Sequence, residues 1–172
     1  ATLFFMPGTQ ATAEYAVGAP ETLSSLTVRA TEYTVGTSGP SAMPATLPPM
    51  SAYTYAVELS VDEADAQGAS SVVFDQPVPV YVDNFLSLPL GTVVPAAYYD
   101  REEKRWVPSQ DGQVIGLLAP SGGLAEIDVD GSGNPADAAT LASLGFTDPE
   151  RQQLALTYNV GDELWRVPVR HF

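Results

Sequence analysis

Prolines and glycines punctuate this chain throughout, and that spacing constrains its fold more than any other feature. Fifteen prolines and fourteen glycines are spread over the length rather than gathered in one linker. Proline fixes φ and removes a backbone donor, and glycine supplies tight turns, so the pattern suits many short strands separated by turns. The expected fold class is all-β: a β-sandwich of about eight or nine mostly antiparallel strands. The clearest strand is 53–61, where Tyr53, Tyr55, Val57, Leu59 and Val61 alternate against Thr54, Ala56, Glu58 and Ser60. Further strands are predicted at 3–6, 23–35, 71–74, 78–82, 93–99, 105–107, 114–118 and 163–172, from β-branched and aromatic runs bounded by Pro, Gly or Asp. Segment 37–51 carries four prolines and reads as an extended surface loop.

The pattern changes over 121–160. Asp137 is a good N-cap for a short alanine- and leucine-rich run that ends at Gly145. Thr147-Asp148-Pro149-Glu150 is a capping-box pattern, and the run that follows places Leu154 and Tyr158 on one face. A small helical hairpin, together with the acidic loop before it, is thus expected as an insertion in a single domain of 1–172, with the last strand returning at Glu163. No internal repeat is visible, which removes solenoids and propellers.

Composition narrows the functional classes. Seven basic against twenty-one acidic residues give a formal charge of −14, which argues against nucleic-acid phosphates and anionic lipid as partners. The chain has no cysteine and one histidine, His171, so thiolate chemistry, disulfides and two-histidine metal sites are excluded. Leu86–Ala97, a long apolar stretch, is broken by Pro89, Gly91 and Pro95 well short of the roughly 20 residues of a membrane span. The first residues lack the basic region of a signal peptide and an initiator methionine, as a mature fragment would. No nucleophile elbow, phosphate loop or dinucleotide fingerprint is present. The charged clusters at 62–65 and 100–105 read as solvated turns, and nothing selects a pair of carboxylates for glycoside hydrolysis.

Two groups of residues remain as candidates for chemistry. Asp128, Asp130, Ser132, Asn134 and Asp137 offer oxygen ligands at alternating positions, with glycines that let the chain wrap a hard cation. Calcium is the natural ion. The spacing resembles EF-hand-like and thrombospondin-type loops but departs from the EF-hand pattern at Ser132 and Ala139, where carboxylates would stand. The alternative is an Asx- and Gly-rich turn in which Asp137 only caps a helix. The second group is His171-Phe172, which closes a strand-like run with no turn or polar tail after it. Such an end suggests the amino-terminal piece of a cut polypeptide. The alternative is an arbitrary end after a lone surface histidine.

His171-Phe172 resembles the start of the His-Phe-Ser motif at which self-cleaving ZU-5 domains cut themselves, between Phe and Ser. Phe74-Asp-Gln-Pro77-Val78, followed by Tyr99-Asp100 and Trp106, is similar to that family's Phe-x-x-Pro-Val strand and the Asp and Trp after it. Leu3-Phe-Phe-Met-Pro7-Gly8 is similar to its early apolar strand. The chain also resembles segments of large bacterial RHS-repeat (YD-repeat) proteins. These resemblances imply an autoproteolytic domain on the cell surface or secreted, with no external substrate. A Ser or Thr after Phe172 would attack the Phe172 carbonyl through an N-to-O acyl shift. Histidine titrates nearest neutrality, so His171 would move the proton. The downstream fragment, beginning with that Ser or Thr, would stay associated as partner. A different class of function stays open: a calcium-stabilised structural or adhesive module without chemistry.

Overall fold

In the computed structural model, which describes residues 1–34, 45 and 55–172, short alternating runs do become short antiparallel strands. In chain order the elements are β1 (Thr2–Leu3), β2 (Ala11–Glu14), β3 (Glu21–Leu23), β4 (Val28–Glu32), β5 (Val57–Val61), α1 (Asp62–Ala66), β6 (Ser71–Asp83) and β7 (Val93–Val94). They continue as β8 (Ala97–Asp100), β9 (Arg105–Pro108), β10 (Gly112–Ser121), β11 (Leu124–Asp128), α2 (Ala138–Ser143), α3 (Asp148–Thr157) and β12 (Glu163–His171). The fold is all-β and sandwich-like, with eight strands in one large antiparallel sheet and three short helices. The strand count among the described residues exceeds the expected eight or nine, because pieces of two to four residues such as β1, β2 and β7 are too short to show periodicity. Apart from Ala45, the expected loop at 37–51 lies outside the described residues, as do the first two residues of the 53–61 strand.

Several boundaries differ from the sequence expectation for local reasons. The two strands expected on either side of Pro77 are one, β6: proline lacks a donor, but its carbonyls still pair, as Pro79 O does with Phe4 N at 3.0 Å. The strand expected at 93–99 is interrupted at Pro95 into β7 and β8. The run at 23–35 breaks between β3 and β4 because Thr27 is claimed by α1: its amide and hydroxyl donate to Glu63 at 2.7 and 2.9 Å. Residues 62–65 form that helix rather than a solvated turn, and its first-turn carboxylates suit the positive end of the helix dipole.

The chain divides into two compact units. The first comprises Ala1–Thr9, Pro77–Ala96 and Gln110–Val169; the second comprises Gln10–Gln76, Ala97–Ser109 and Arg170–Phe172. In the first unit β11, β10, β12 and the second half of β6 are hydrogen-bonded in that order, with β1 on β6 and β7 on β10. Alternate residues of these strands, Ile115 and Leu117, Ala125 and Ile127, Leu164 and Tyr81, face Leu141 of α2 and Leu154 of α3 in one core. Both helices are capped as expected: Asp137 accepts from the Thr140 amide and Thr147 from that of Glu150. Segment 121–160 therefore supplies β11, both helices and a large share of this core. The outward carbonyls of β11 are occupied, Ala125 O by Arg151 Nε at 2.9 Å and Ile127 O by the Ala136 amide at 2.8 Å, which blunts an edge open to strand pairing.

Gly112 begins β10 where nothing larger fits. A Cβ there would fall inside contact distance of the Arg166 carbonyl and 2.7 Å from Val167 Cγ2. Gly112→Ala should thus push β10 from β12 and cost about 2 kcal/mol or more, on the scale of overpacked cores. Urea unfolding of the variant measures the loss, and an unchanged midpoint would refute the close approach.

In the second unit the first half of β6, β2 and β3 are hydrogen-bonded in that order. Ala11 and Ala13 of β2 and Val72 and Phe74 of β6 are buried in this unit. β4 pairs with β5 from Val28↔Val61 to Glu32↔Val57, and β8 pairs with β9 from Ala97↔Pro108 to Asp100↔Arg105. Among the described residues no helix is long and apolar enough to cross a membrane.

Candidate functional site

His171 and Phe172 belong to the second unit, where they pair with the first half of β6. The Phe172 amide donates to Val72 O at 2.9 Å, and the Val72 amide donates to Phe172 O at 3.0 Å. Both peptide groups of the terminal residue are thereby fixed in register. Successive side chains of a strand point to opposite faces, so the two residues are served by different neighbours. The Phe172 ring meets Phe74 edge-on, with centroids 4.8 Å apart and planes at 68°. The His171 imidazole meets Tyr98 of β8 in the same manner, at 4.5 Å and 79°. Both terminal side chains are half-buried. Phe74, Tyr99, Asp100 and Trp106 had been singled out in the sequence, and three of them organise the β8–β9 hairpin. Tyr99 packs on Trp106 across the strands at 5.5 Å, and the Asp100 carboxylate accepts the Glu102 and Glu103 amides at 2.9 and 2.8 Å, closing the turn. Val72 and Tyr98 were not anticipated, because cross-strand register leaves no mark in a single sequence.

The acidic loop lies in the first unit, and its oxygens are turned to its own backbone. Asp128 is 3% exposed; its Oδ1 accepts the amides of Asp130 and Gly131 at 3.1 and 2.8 Å, and its Oδ2 accepts that of Gly133 at 2.7 Å. Asp130 Oδ1 accepts the Ser132 amide at 3.0 Å, Ser132 Oγ accepts the Asn134 amide at 3.3 Å, and the Asn134 side chain donates back to Ser132 O. Asp137 Oδ1 is spent on the Thr140 amide at 2.7 Å. The structure thus links Asp128, Asp130, Ser132 and Asn134 in one chain of Asx-type turns and sets Asp137 at the helix cap. Among the described residues no group of three or more His, Cys, Asp or Glu side chains is placed to hold a metal ion.

The Ser132 hydroxyl and amide hold the Asp130 carboxyl below the usual carboxylate range, and the Thr140 amide does the same for Asp137. A depressed folded pKa contributes stability above the ordinary carboxylate pKa and loses it as pH falls through the folded value, so acid should loosen this turn. Asp128→Ala leaves three amides without their acceptor and should cost about 2 kcal/mol, whereas Asp128→Asn keeps one carbonyl oxygen and should cost less. Hydrogen exchange at Gly131 and Gly133 reads the effect directly; unchanged protection in the alanine variant would contradict it.

A buried polar cluster in the first unit escaped the sequence reading. Tyr81, Glu150 and Arg166 are 0%, 1% and 7% exposed. Arg166 Nε and Nη2 donate to the two Glu150 carboxylate oxygens at 2.6 and 2.9 Å, and the Tyr81 hydroxyl donates to Glu150 as well. Burial pushes the Tyr81 phenol well above its ordinary value, and the Glu150 charge adds to this. Burial works to lower the Arg166 pKa, but the hydrogen bond and charge of Glu150 outweigh it and raise it. Every strong group here is partnered within the cluster, so it is a clasp rather than a reactive site.

No family model, curated protein or solved structure matches the chain. The likeness to ZU-5 domains accordingly rests on the short motifs named above.

Proposed function

We propose that the chain is an autoprocessing domain, cut after Phe172 by a Ser or Thr that follows it. The observation that carries this reading is the pinning of the Phe172 carbonyl by the Val72 amide at 3.0 Å. In the acyl shift the hydroxyl oxygen of residue 173 bonds to the Phe172 carbonyl carbon, the peptide C–N bond breaks, and the hydroxyl proton ends on the freed amine. Water then splits the ester, restoring the hydroxyl and leaving Phe172 with a carboxylate. Negative charge develops on the Phe172 oxygen during attack, where a backbone donor already aimed at it is most effective. In an extended strand residues 171 and 173 share a face, so the imidazole is on the side of the attacking hydroxyl and can carry its proton to the amine. The Phe172 ring, on the other face, is anchored by Phe74, a residue of the resembling motif.

The downstream fragment, beginning with the nucleophile, stays paired to this one after the cut, and no external substrate is turned over. Such processing suits a segment of a large secreted or surface protein of the RHS-repeat kind. The test is the intact mass of the chain expressed with the residues its gene encodes beyond Phe172. A fragment ending at Phe172 without added protease, co-eluting with its partner under native conditions, is expected. A precursor that stays whole through prolonged incubation at neutral pH overturns the proposal.

A further inference from the structure

We propose that Tyr98 is the positioning residue for His171, an inference that rests on the self-cleavage reading above. A proton carrier must be held within hydrogen-bond reach of the group it serves, and a histidine near the end of a strand has two free side-chain torsions with which to leave. Tyr98 removes that freedom. Its ring meets the imidazole edge-on at 4.5 Å and 79°, covering one side of a half-buried side chain. Tyr98 is 36% exposed, and the strand that carries it is well fixed. The tyrosine sits in β8 opposite Val107 of β9, and the hairpin is tied by the Asp100 carboxylate at its turn and, on the face opposite Tyr98, by Tyr99 against Trp106. A hairpin held at both places fixes the backbone from which the ring reaches the imidazole. The neighbouring strand register, set by Val72 and Phe172, fixes the backbone that carries the imidazole. Ring and backbone together define where the imidazole stands on the face that residue 173 would share. The positioning requires the ring and not the hydroxyl.

Two measurements test this. His171 is the sole histidine, so its imidazole protons are identifiable in the NMR spectrum of the chain as it stands. Their ring-current shift should be present in the parent, lost in Tyr98→Ala and kept in Tyr98→Phe. In the chain extended by its natural residues, Tyr98→Ala should slow cleavage by about 100-fold, the scale of a small misplacement of a reacting group. Tyr98→Phe should cleave at close to the parent rate. If the alanine variant does not fold, Tyr98→Leu keeps apolar cover without an aromatic ring and should show the same slowing. Cleavage at the parent rate in Tyr98→Ala or Tyr98→Leu overturns the role of Tyr98 and leaves self-cleavage standing. Equal loss in Tyr98→Phe overturns it too, by making the hydroxyl the group required. An extended parent that never cleaves overturns the self-cleavage reading, and the role of Tyr98 with it.

Discussion

Arg166→Met should destabilise the first unit by about 3–5 kcal/mol, the usual cost of removing one partner from a buried ion pair. The methionine fills most of the volume but leaves three debts of hydrogen bonding. Glu150, 1% exposed, loses both guanidinium donors and keeps the Tyr81 hydroxyl. The carbonyls of Leu144 and Gly145 at the end of α2 lose the Arg166 Nη1 and Nη2 donors that now reach them at 3.0 and 3.1 Å. The Phe146 ring loses a guanidinium stacked 4.0 Å from its centroid. Surface pairs offer a contrast: Arg29 and Asp62 form a two-pronged bridge, but with side chains 67% and 35% exposed its removal should hardly be felt. Urea unfolding followed by Trp165 fluorescence, in a Trp106→Phe background, isolates the first unit. The double variant Glu150→Leu/Arg166→Met buries no charge and should recover much of the loss. Equal instability of single and double variants would show that packing, rather than an unpaired charge, sets the cost.

What the sequence disclosed of this architecture was local, and what it concealed was not. The caps Asp137 and Thr147 were legible because a capping side chain and the amides it serves lie within three residues. β10 was legible from its β-branched and apolar run at 114–118, and β12 from a run long enough for its two faces to be told apart. β11 was hidden: Leu124-Ala-Glu-Ile-Asp128 alternates for only five residues and runs straight into the acidic turn. Helix α1 was hidden because its N-cap, Val61, makes no side-chain cap bond, so no capping residue marks its start. The clasp of Tyr81, Glu150 and Arg166 joins residues 69 and 16 positions apart, and an arginine in a strand reads as surface until its partner is known. The same limit applied at the candidate site. His171 and Phe172 could be named from the sequence, whereas Val72, Phe74 and Tyr98 became their neighbours only through strand register and hairpin placement.

In the chain extended by its natural residues, His171→Ala should slow cleavage by about 100-fold or more, within the 10² to 10⁴ range of a lost acid–base group. Position and supply both single out His171. The attacking hydroxyl must lose a proton and the departing nitrogen must gain one, and both belong to residue 173, which shares a strand face with residue 171. The chain holds one histidine and no cysteine, and no other residue type titrates near neutrality without a perturbing environment. The Val72 amide remains in place in the variant, since it binds backbone and not the imidazole. The variant should therefore retain the oxyanion donor and the strand register, and lose only proton transfer, which added imidazole should partly restore. Hydroxylamine separates the two chemical steps, because it cleaves an ester once formed but does not form one. If His171 serves the acyl shift, hydroxylamine leaves the variant whole. If it cuts the variant at Phe172, the ester has formed without the imidazole and His171 acts only in its hydrolysis. Unchanged spontaneous cleavage of His171→Ala would remove the imidazole from both steps and leave the Val72 donor as the remaining contribution of the fold.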